Sequence, residues 1–317
     1  MAREEQDTKM ASREATRVRP AGMKWWSVQK RFEGYIFLLP NIVGFLAFTA
    51  FPIFAAFALS FYDWDLITTP HFVGFKNYLK LIFDDRLFGR VLWNTTLYTL
   101  GTVPLRVVLS LLLAIALNQK IRGITVYRTA YFMPVVSSSV AVALVWTWIF
   151  NGNFGILNSF LWAIGFNNPP DWLNSTRWAL PAIMIVNLWK NVGFTMVIYL
   201  AGLQAIPKQL YEAAEIDGAS WWAKFRHITV PMVSPTTFFV LVMSIIWSFQ
   251  VFEEAYIMTE GGPANATNTV VYYIYKNAFQ WFKMGKAAAV AWLLFAILFI
   301  FTLLQAWYQR RWVHYVA

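Results

Sequence analysis

Residues 35–61 read YIFLLPNIVGFLAFTAFPIFAAFALSF, and no charged residue stands between Glu33 and Asp63. The apolar core of a bilayer is about 30 Å thick, and a helix needs roughly 20 apolar residues to cross it. This uncharged stretch therefore predicts a helix that spans a membrane from about Tyr35 to about Phe61.

Five more apolar stretches follow, each too long for a β-strand. They are Leu92–Asn118, Thr129–Phe150, Ala179–Leu203, Ser234–Phe252 and Ala287–Tyr308. Lipid admits only helices and closed barrels, so the sequence predicts an all-α integral membrane protein with six transmembrane helices. The composition agrees, because 13% of the 317 residues are charged, whereas soluble domains carry about 25%.

The basic residues predict the orientation of these helices. Sixteen Lys and Arg residues fall on the side of the N-terminus and eight on the other side, so both termini are expected in the cytoplasm. We expect a basic cytoplasmic tail over 1–33, a six-helix domain over 34–309 and a short cytoplasmic tail over 310–317. The net charge of +10 is thereby explained by topology, and no nucleic-acid partner is expected.

Sequence signatures of enzymes are missing from the chain. It has no G-x-x-x-x-G-K-[ST] phosphate-binding motif, no H-E-x-x-H motif and no cysteine. Two pairs of adjacent carboxylates, Asp84-Asp85 and Glu253-Glu254, are interpreted as solvated loop residues, because neighbours on a helix point to different faces. We therefore predict no catalytic residue and no metal site, and transport is favoured by elimination.

The loop over 204–233, on the predicted cytoplasmic side, has a pattern of its own. Pro207 suits the first turn of a helix, Asp217-Gly218 a stop, and Ser220 the cap of a second short helix. The pattern predicts a helix–turn–helix that docks on a partner, or an amphipathic loop that rests on lipid headgroups; the residues alone leave both open.

The same loop carries a family motif. The run Glu212-Ala213-Ala214-x3-Gly218-x9-Ile228-x-Val230-Pro231 resembles the E-A-A loop of permease subunits in bacterial binding-protein-dependent ABC importers, with Val230 where the family has Leu. The resemblance implies that the loop couples the permease to a separate ATPase. The implied coupling residues are Glu212, Ala213, Ala214, Asp217, Gly218, Ala219, Phe225 and Pro231.

Other segments resemble the sugar-importing branch, of the lactose, glycerol-3-phosphate and maltose type, and its first paired permease. They are Ser60-Phe61-Tyr62-Asp63-Trp64, residues 72–78, Asn94-Thr95, residues 155–158 and Thr259-Glu260-Gly261-Gly262-Pro263. The resemblance implies import of a carbohydrate across the bacterial inner membrane by alternating access. The implied partners are a second permease, two cytoplasmic ATPase subunits that bind ATP and Mg, and a periplasmic or lipid-anchored solute-binding protein. No cofactor is expected in this chain itself.

Polar side chains within the predicted spans are candidates for the transport path. Asn187, Asn191 and Phe194 share one helix face at i, i+4 and i+7, and Ser244 and Ser248 follow in the next span. They bind substrate or hold helices together. On the first reading, Asn187→Leu is expected to reduce uptake while the complex still assembles.

Two charged residues also lie within spans, Arg106 and Lys190. Each could contact an anionic substrate or could face only protein. The alternative to an importer is a secondary transporter or channel driven by an ion gradient, which would be expected to carry a carboxylate inside a span. A membrane-embedded enzyme is the third reading, and no catalytic cluster supports it.

Overall fold

The computed structural model describes residues 35, 37–119 and 122–313, and most of these are helical. The predicted tail over 1–33 and the last four residues of the predicted C-terminal tail lie outside the described residues. In chain order the helices are α1 (Phe37–Leu59), α2 (Lys76–Leu79), α3 (Arg86–Leu117), α4 (Ile124–Val136), α5 (Ser139–Ile149), α6 (Ile156–Ala163), α7 (Ala179–Gln204), α8 (Lys208–Ile216), α9 (Trp221–Met232), α10 (Ser234–Phe249), α11 (Glu253–Thr259), α12 (Val270–Tyr275) and α13 (Met284–Tyr308).

Length and composition single out the helices that could span a membrane. Among the described residues, α1, α3, α7 and α13, the last extended by one 3-10 turn to Arg311, are long and apolar enough to do so. Two bent pairs, α4 with α5 and α9 with α10, would raise the number of spans from four to six. The prediction of a mostly helical membrane protein is confirmed, with four to six candidate spans.

The third predicted span is not one straight helix. α4 ends at Val136, Ser137 and Ser138 adopt extended backbone conformations, and α5 leaves at 97° to α4. Pro134 stands in the last turn of α4, where it cannot donate a backbone hydrogen bond. The sequence prediction of an unbroken helix over Thr129–Phe150 was therefore wrong.

The fifth predicted span also differs from its expected form. Its helix, α10, has 16 residues and ends at Phe249 rather than Phe252, and α9 precedes it at an angle of 62°. Pro231 lies just before this bend and Pro235 just after it. Proline is tolerated in the first turn of a helix, so a new helix starts here instead of continuing the old one.

The chain forms two compact units, one up to Ala58 and one from Leu59 onwards. The first contains nearly all of α1, in which a wider π-helical turn, Leu46–Ala50, precedes Pro52. The second begins with a short antiparallel pair in which Tyr62–Asp63 bonds to His71–Phe72.

Helices α3 and α7 pack along each other through the centre of the second unit. Buried residues of the first half of α7 join α5 and α11 in one apolar cluster, and the C-terminal halves of α3 and α7 join α10 in another. A third cluster joins the start of α3 to α12 and α13. Polar side chains that lie between these clusters are consequently positioned by helices that pack against one another.

Candidate functional site

The segment between α7 and α10 folds as the predicted helix–turn–helix. Helix α8 ends in a pair of backbone hydrogen bonds, from Gly218 N to Glu215 O at 3.0 Å and from Ala219 N to Ala214 O at 2.8 Å. This pattern needs a residue in the left-handed region, and Gly218 supplies it with a φ of 73°. The Ser220 hydroxyl then accepts from Ala223 N at 3.3 Å, which caps α9 as predicted.

One face of this segment is attached to the helix bundle. The Tyr211 hydroxyl lies 2.9 Å from the Thr229 hydroxyl, and Tyr211 and Ile228 pack against the cluster at the end of α3 and α7. Lys224 and Glu215 form an exposed ion pair between the two short helices, with N···O of 2.7 Å. An exposed pair contributes little to stability, so the apolar packing holds the segment in place.

The other face of the segment is open to its surroundings. Glu212, Ala213, Asp217 and Gly218 are exposed, and Ile216 is 87% exposed. The other predicted coupling residues, Ala214, Ala219, Phe225 and Pro231, are half-buried. Phe225 stacks on the exposed Trp221 with ring centroids 5.6 Å apart. The segment therefore presents a mixed acidic and apolar surface on a rigid base.

A polar cavity of about 320 Å³ lies beside the middle of α7. Its lining comes from α3, α5, α7 and the junction of α10 with α11, and Asn187, Lys190 and Asn191 supply the α7 side. Trp247 and Gln250 line it from the end of α10 and just beyond. The structure thus brings three of the predicted path residues to one cavity.

Asn187 connects two buried charges at this cavity. Its side-chain oxygen accepts a hydrogen bond from Arg106 Nη2, and its side-chain nitrogen donates to Glu254 Oε1 at 2.7 Å. Arg106 is 2% exposed and Glu254 is 9% exposed. The three side chains form a cation–amide–carboxylate chain that joins α3, α7 and α11.

The remaining predicted residues of α7 have different surroundings. Lys190 Nζ donates to the Ser139 hydroxyl of α5, and Asn191 Nδ2 donates to the Asn187 carbonyl oxygen at 2.9 Å. Phe194 contacts Trp247 edge-on, with ring centroids 5.7 Å apart, and is not among the residues that line the cavity.

Ser244 and Ser248 do not face the asparagines across this cavity. Both serines are buried, at 1% and 2% exposure, and neither lines the cavity. The Ser248 hydroxyl lies 3.3 Å from the Thr102 hydroxyl of α3. Of the two roles that the sequence left open for these serines, the contact of Ser248 with α3 favours helix–helix packing.

Glu254 was missed by sequence reasoning. The interpretation of Glu253-Glu254 as a solvated pair is wrong for Glu254, which is buried against α7, and holds only for the exposed Glu253. The partner of Glu254 lies 67 residues earlier in the chain, so no local signal could reveal it. The carboxylate of Glu254 therefore reaches a buried position beside α7, a candidate span, although Glu254 follows the end of α10 in the sequence.

Asp85 was misread in the same way, while the adjacent Asp84 is exposed as expected. Asp85 caps the N-terminus of α3 and accepts from the Tyr273 hydroxyl at 2.7 Å, and its carboxylate lies 2.7 Å from Lys286 Nζ. Burial raises the pKa of Asp85, but the hydrogen bonds from Lys286 and Tyr273 outweigh it and bring the pKa below its ordinary value of 3.8. The ion pair joins the start of α13 to the start of α3.

Two segments singled out in the sequence meet in the structure. Asn94 Nδ2 donates to the backbone oxygens of Asn265 at 2.8 Å and Asn268 at 3.1 Å. The Thr95 hydroxyl accepts from Val270 N at 3.0 Å. The Asn94-Thr95 pair thus holds the loop that follows Gly262-Pro263 against α3, which explains both segments structurally.

Comparison with known proteins defines the class. Residues 106–314 match the family of binding-protein-dependent transport system inner membrane components, and the chain belongs to this family. It is an ABC transporter permease, a membrane component of a binding-protein-dependent transport system. The resemblance read from the E-A-A loop is confirmed.

Individual relatives match almost the whole chain. The probable ABC transporter permease protein YesP of Bacillus subtilis is 39% identical over 293 residues, which cover 91% of this chain and 94% of YesP. The lactose transport system permease protein LacF of Rhizobium radiobacter is 35% identical, covering 88% of this chain and 94% of LacF. One similar solved structure is that of the bacterial alginate ABC transporter in complex with an alginate pentasaccharide-bound periplasmic protein. One of its chains matches this chain with a TM-score of 0.80 and 25% identity. The match covers 90% of this chain and 97% of that one.

Proposed function

We propose that this chain is one permease subunit of an ATP-driven importer that moves a carbohydrate across the bacterial inner membrane by alternating access. The solute would be an oligosaccharide, a disaccharide or a glycerol-phosphate-like compound. The polar cavity beside the middle of α7 carries the proposal, because it lies among helices that are otherwise apolar. The relatives support the carbohydrate class, since one is named for lactose and another for alginate.

The proposed topology has six spans and cytoplasmic termini. Four spans are the long helices α1, α3, α7 and α13, and the bent pairs supply two more. The excess of Lys and Arg on the side of the N-terminus supports this orientation. The six-helix domain then extends over 34–309 between the tails 1–33 and 310–317, and the loop 204–233 lies in the cytoplasm.

The helix–turn–helix is proposed to couple the permease to its ATPase. Glu212 and Asp217 offer acceptors to basic groups of a partner, and the absence of a side chain at Gly218 leaves room for close approach of its backbone. Nothing lies within 4 Å of where a Cβ at Gly218 would stand, so this space is open in the chain alone. ATP and Mg would be bound by the partner ATPase, since the sequence lacks a phosphate-binding motif.

The cavity is proposed to form part of the path for the solute. Asn191 and Gln250 present amides, and Trp247 presents an aromatic side chain, to the same space. Amides hydrogen-bond sugar hydroxyls, and an aromatic ring packs on the apolar face of a pyranose. Within the proposed path, Asn187, Lys190 and Asn191 line the cavity, whereas Phe194, Ser244 and Ser248 support the packing around it.

The proposed assembly contains two permeases, two ATPases and a solute-binding protein in the periplasm or anchored to lipid. The solved relative, which is in complex with a ligand-loaded periplasmic protein, supports the last of these partners. A second six-helix permease would face this one across the solute path, and neighbouring lipid would surround both.

The coupling proposal is tested with two matched glycine variants. Gly218 and Gly165 both have a positive φ, 73° and 89°, and both have open space where a Cβ would stand. Val strains the backbone about equally at each position, by about 1–2 kcal/mol. Gly218→Val is expected to lower substrate-stimulated ATP hydrolysis and retention of the ATPase during purification, whereas Gly165→Val keeps both. Equal behaviour of the two variants would show that the loop does not dock on the ATPase.

A further inference from the structure

The charges around the cavity sum to zero, but only one cation and one carboxylate are joined to each other. Four charged side chains line it: Arg106 and Lys190 are cations, and Glu253 and Glu254 are carboxylates. Arg106 and Glu254 are both buried, and Asn187 bridges them through one hydrogen bond to each. This pair is neutral as a unit, although Arg106 Nε has no hydrogen-bond partner among the described residues.

Lys190 has no such compensation. Its ammonium donates to the neutral hydroxyl of Ser139, and no carboxylate oxygen of the described residues lies within 4.0 Å of it. Glu253 lines the same cavity but is exposed and forms no ion pair within that distance in the described part of the chain. An ammonium has three donors, and the hydrogen bond to Ser139 uses one of them. Lys190 therefore presents a half-buried positive charge to whatever fills the cavity.

We infer that Lys190 binds the carboxylate of an acidic carbohydrate, a sugar that carries a uronic acid group. This inference rests on the proposed function and refines its substrate class. A neutral sugar would displace water from the ammonium without returning a charge, which is costly in a partly buried site. A carboxylate pairs directly with the ammonium, which Glu253 does not, and accepts a short charge-assisted hydrogen bond from it.

The neighbours of Lys190 suit the rest of such a ligand. Arg106 cannot take the carboxylate, because it is 2% exposed and directed at Asn187. Asn191 uses one N–H of its Nδ2 on a backbone oxygen, and its Oδ1 can accept from a sugar hydroxyl. Gln250 and Trp247 line the same cavity and add a second amide and a ring. Lys190 is then the residue that separates acidic from neutral carbohydrates.

The test uses the whole transporter, reconstituted with its second permease, ATPase and binding protein. The probes are labelled uronic acid oligosaccharides of two to five units and the same compounds with each carboxyl group reduced to a primary alcohol. Lys190→Met removes the charge at similar length, and Lys190→Arg retains it. The binding protein's affinity for each probe is measured separately, and uptake is measured for each permease variant.

ATP-driven uptake of the uronide is expected, with a KM that rises about 10-fold or more in Lys190→Met and stays within about 3-fold in Lys190→Arg. Two results would overturn the inference: uptake of the reduced probes but not the uronides, or equal loss for both probes in Lys190→Met. Uptake of neutral sugars alone would leave the proposed function standing. Failure of acidic and neutral carbohydrates alike would reject both.

Discussion

Replacing Asn187 by Leu breaks the chain of hydrogen bonds between Arg106 and Glu254. The two side chains have the same branching and the same number of heavy atoms, so the substitution leaves no cavity, but Leu can neither accept from Arg106 nor donate to Glu254. The two charged groups lose their shared partner at positions that are 2% and 9% exposed. From the sequence alone Asn187→Leu was expected to affect uptake and not assembly; the network predicts a loss of stability as well.

The size of this loss follows from the two hydrogen bonds. Each bond to a charged group is worth about 1.5–3 kcal/mol, and water that enters the adjoining cavity restores part of that. We therefore expect a loss of about 3 kcal/mol, near the lower end for breaking a buried charged network. For a chain of 317 residues it corresponds to a fall in melting temperature of about 4–5 °C.

Thermal unfolding of the purified complex in detergent measures this fall, and Asn191→Leu is the matched control. Asn191 stands one turn further along α7, lines the same cavity and donates one hydrogen bond to a neutral backbone oxygen. Its replacement should cost about 1 kcal/mol, a third of the loss at Asn187.

A triple variant, Arg106→Leu/Asn187→Leu/Glu254→Leu, provides the decisive comparison. Replacing every member of a buried charged network by apolar residues is often close to neutral, whereas removing one member is not. The triple variant should therefore recover at least half of the melting temperature lost by Asn187→Leu. Equal shifts for Asn187→Leu and Asn191→Leu, or a triple variant less stable than the single one, would refute the proposed network.

Three other predictions test the packing, the ion pair at the start of α3 and the topology. Gly193→Ala should lower the melting temperature sharply, because the added Cβ would stand 1.9 Å from a backbone oxygen of α4. At Gly89 nothing lies within 4 Å of the added Cβ, so Gly89→Ala should leave the melting temperature unchanged or raise it slightly. The pKa of Asp85 is lowered in the folded state. The ionised carboxylate therefore stabilises the fold above about pH 4, and this stabilisation is lost as the pH falls through the folded-state pKa. Thermal melts from pH 7 to pH 3 should show a smaller pH dependence in Asp85→Asn than in the wild type. Since the chain has no cysteine, an impermeant thiol reagent should label Ala264→Cys in intact cells and Ile216→Cys only after lysis, and the reverse pattern would contradict the orientation.

Features with local sequence signals could be predicted. The turn after α8 was predicted correctly because Asp217-Gly218 and Ser220 determine it within a few residues, through a left-handed glycine and a side-chain cap. The long helices α3, α7 and α13 were predicted because a long and mostly apolar stretch is a sufficient signal in a membrane. The bend after Pro134 was not predicted, since a proline in a long apolar helix can kink the helix, break it or be tolerated. The outcome depends on the neighbouring helices.

The candidate site depends on contacts between distant parts of the chain, which no local pattern encodes. Glu254 reaches Asn187 across 67 residues, and Tyr273 reaches Asp85 across 188 residues. Both carboxylates stand beside a second, exposed carboxylate in the sequence, so the two pairs look alike, although Glu254 is buried and Asp85 is half-buried. Helical periodicity placed Asn187 and Asn191 on one face correctly but could not show that Ser248 faces α3 instead of the cavity.

Under the proposed function, this chain carries a solute inward at the expense of ATP hydrolysed by a partner. The most direct measurement is uptake of labelled oligosaccharides into proteoliposomes that contain this permease, its second permease and the ATPase, with ATP enclosed on the ATPase side and the loaded binding protein on the other. We expect accumulation that requires both ATP and the binding protein and that falls at least 10-fold in Gly218→Val. Accumulation that proceeds without ATP and follows an imposed ion gradient would contradict the account and identify a secondary transporter instead.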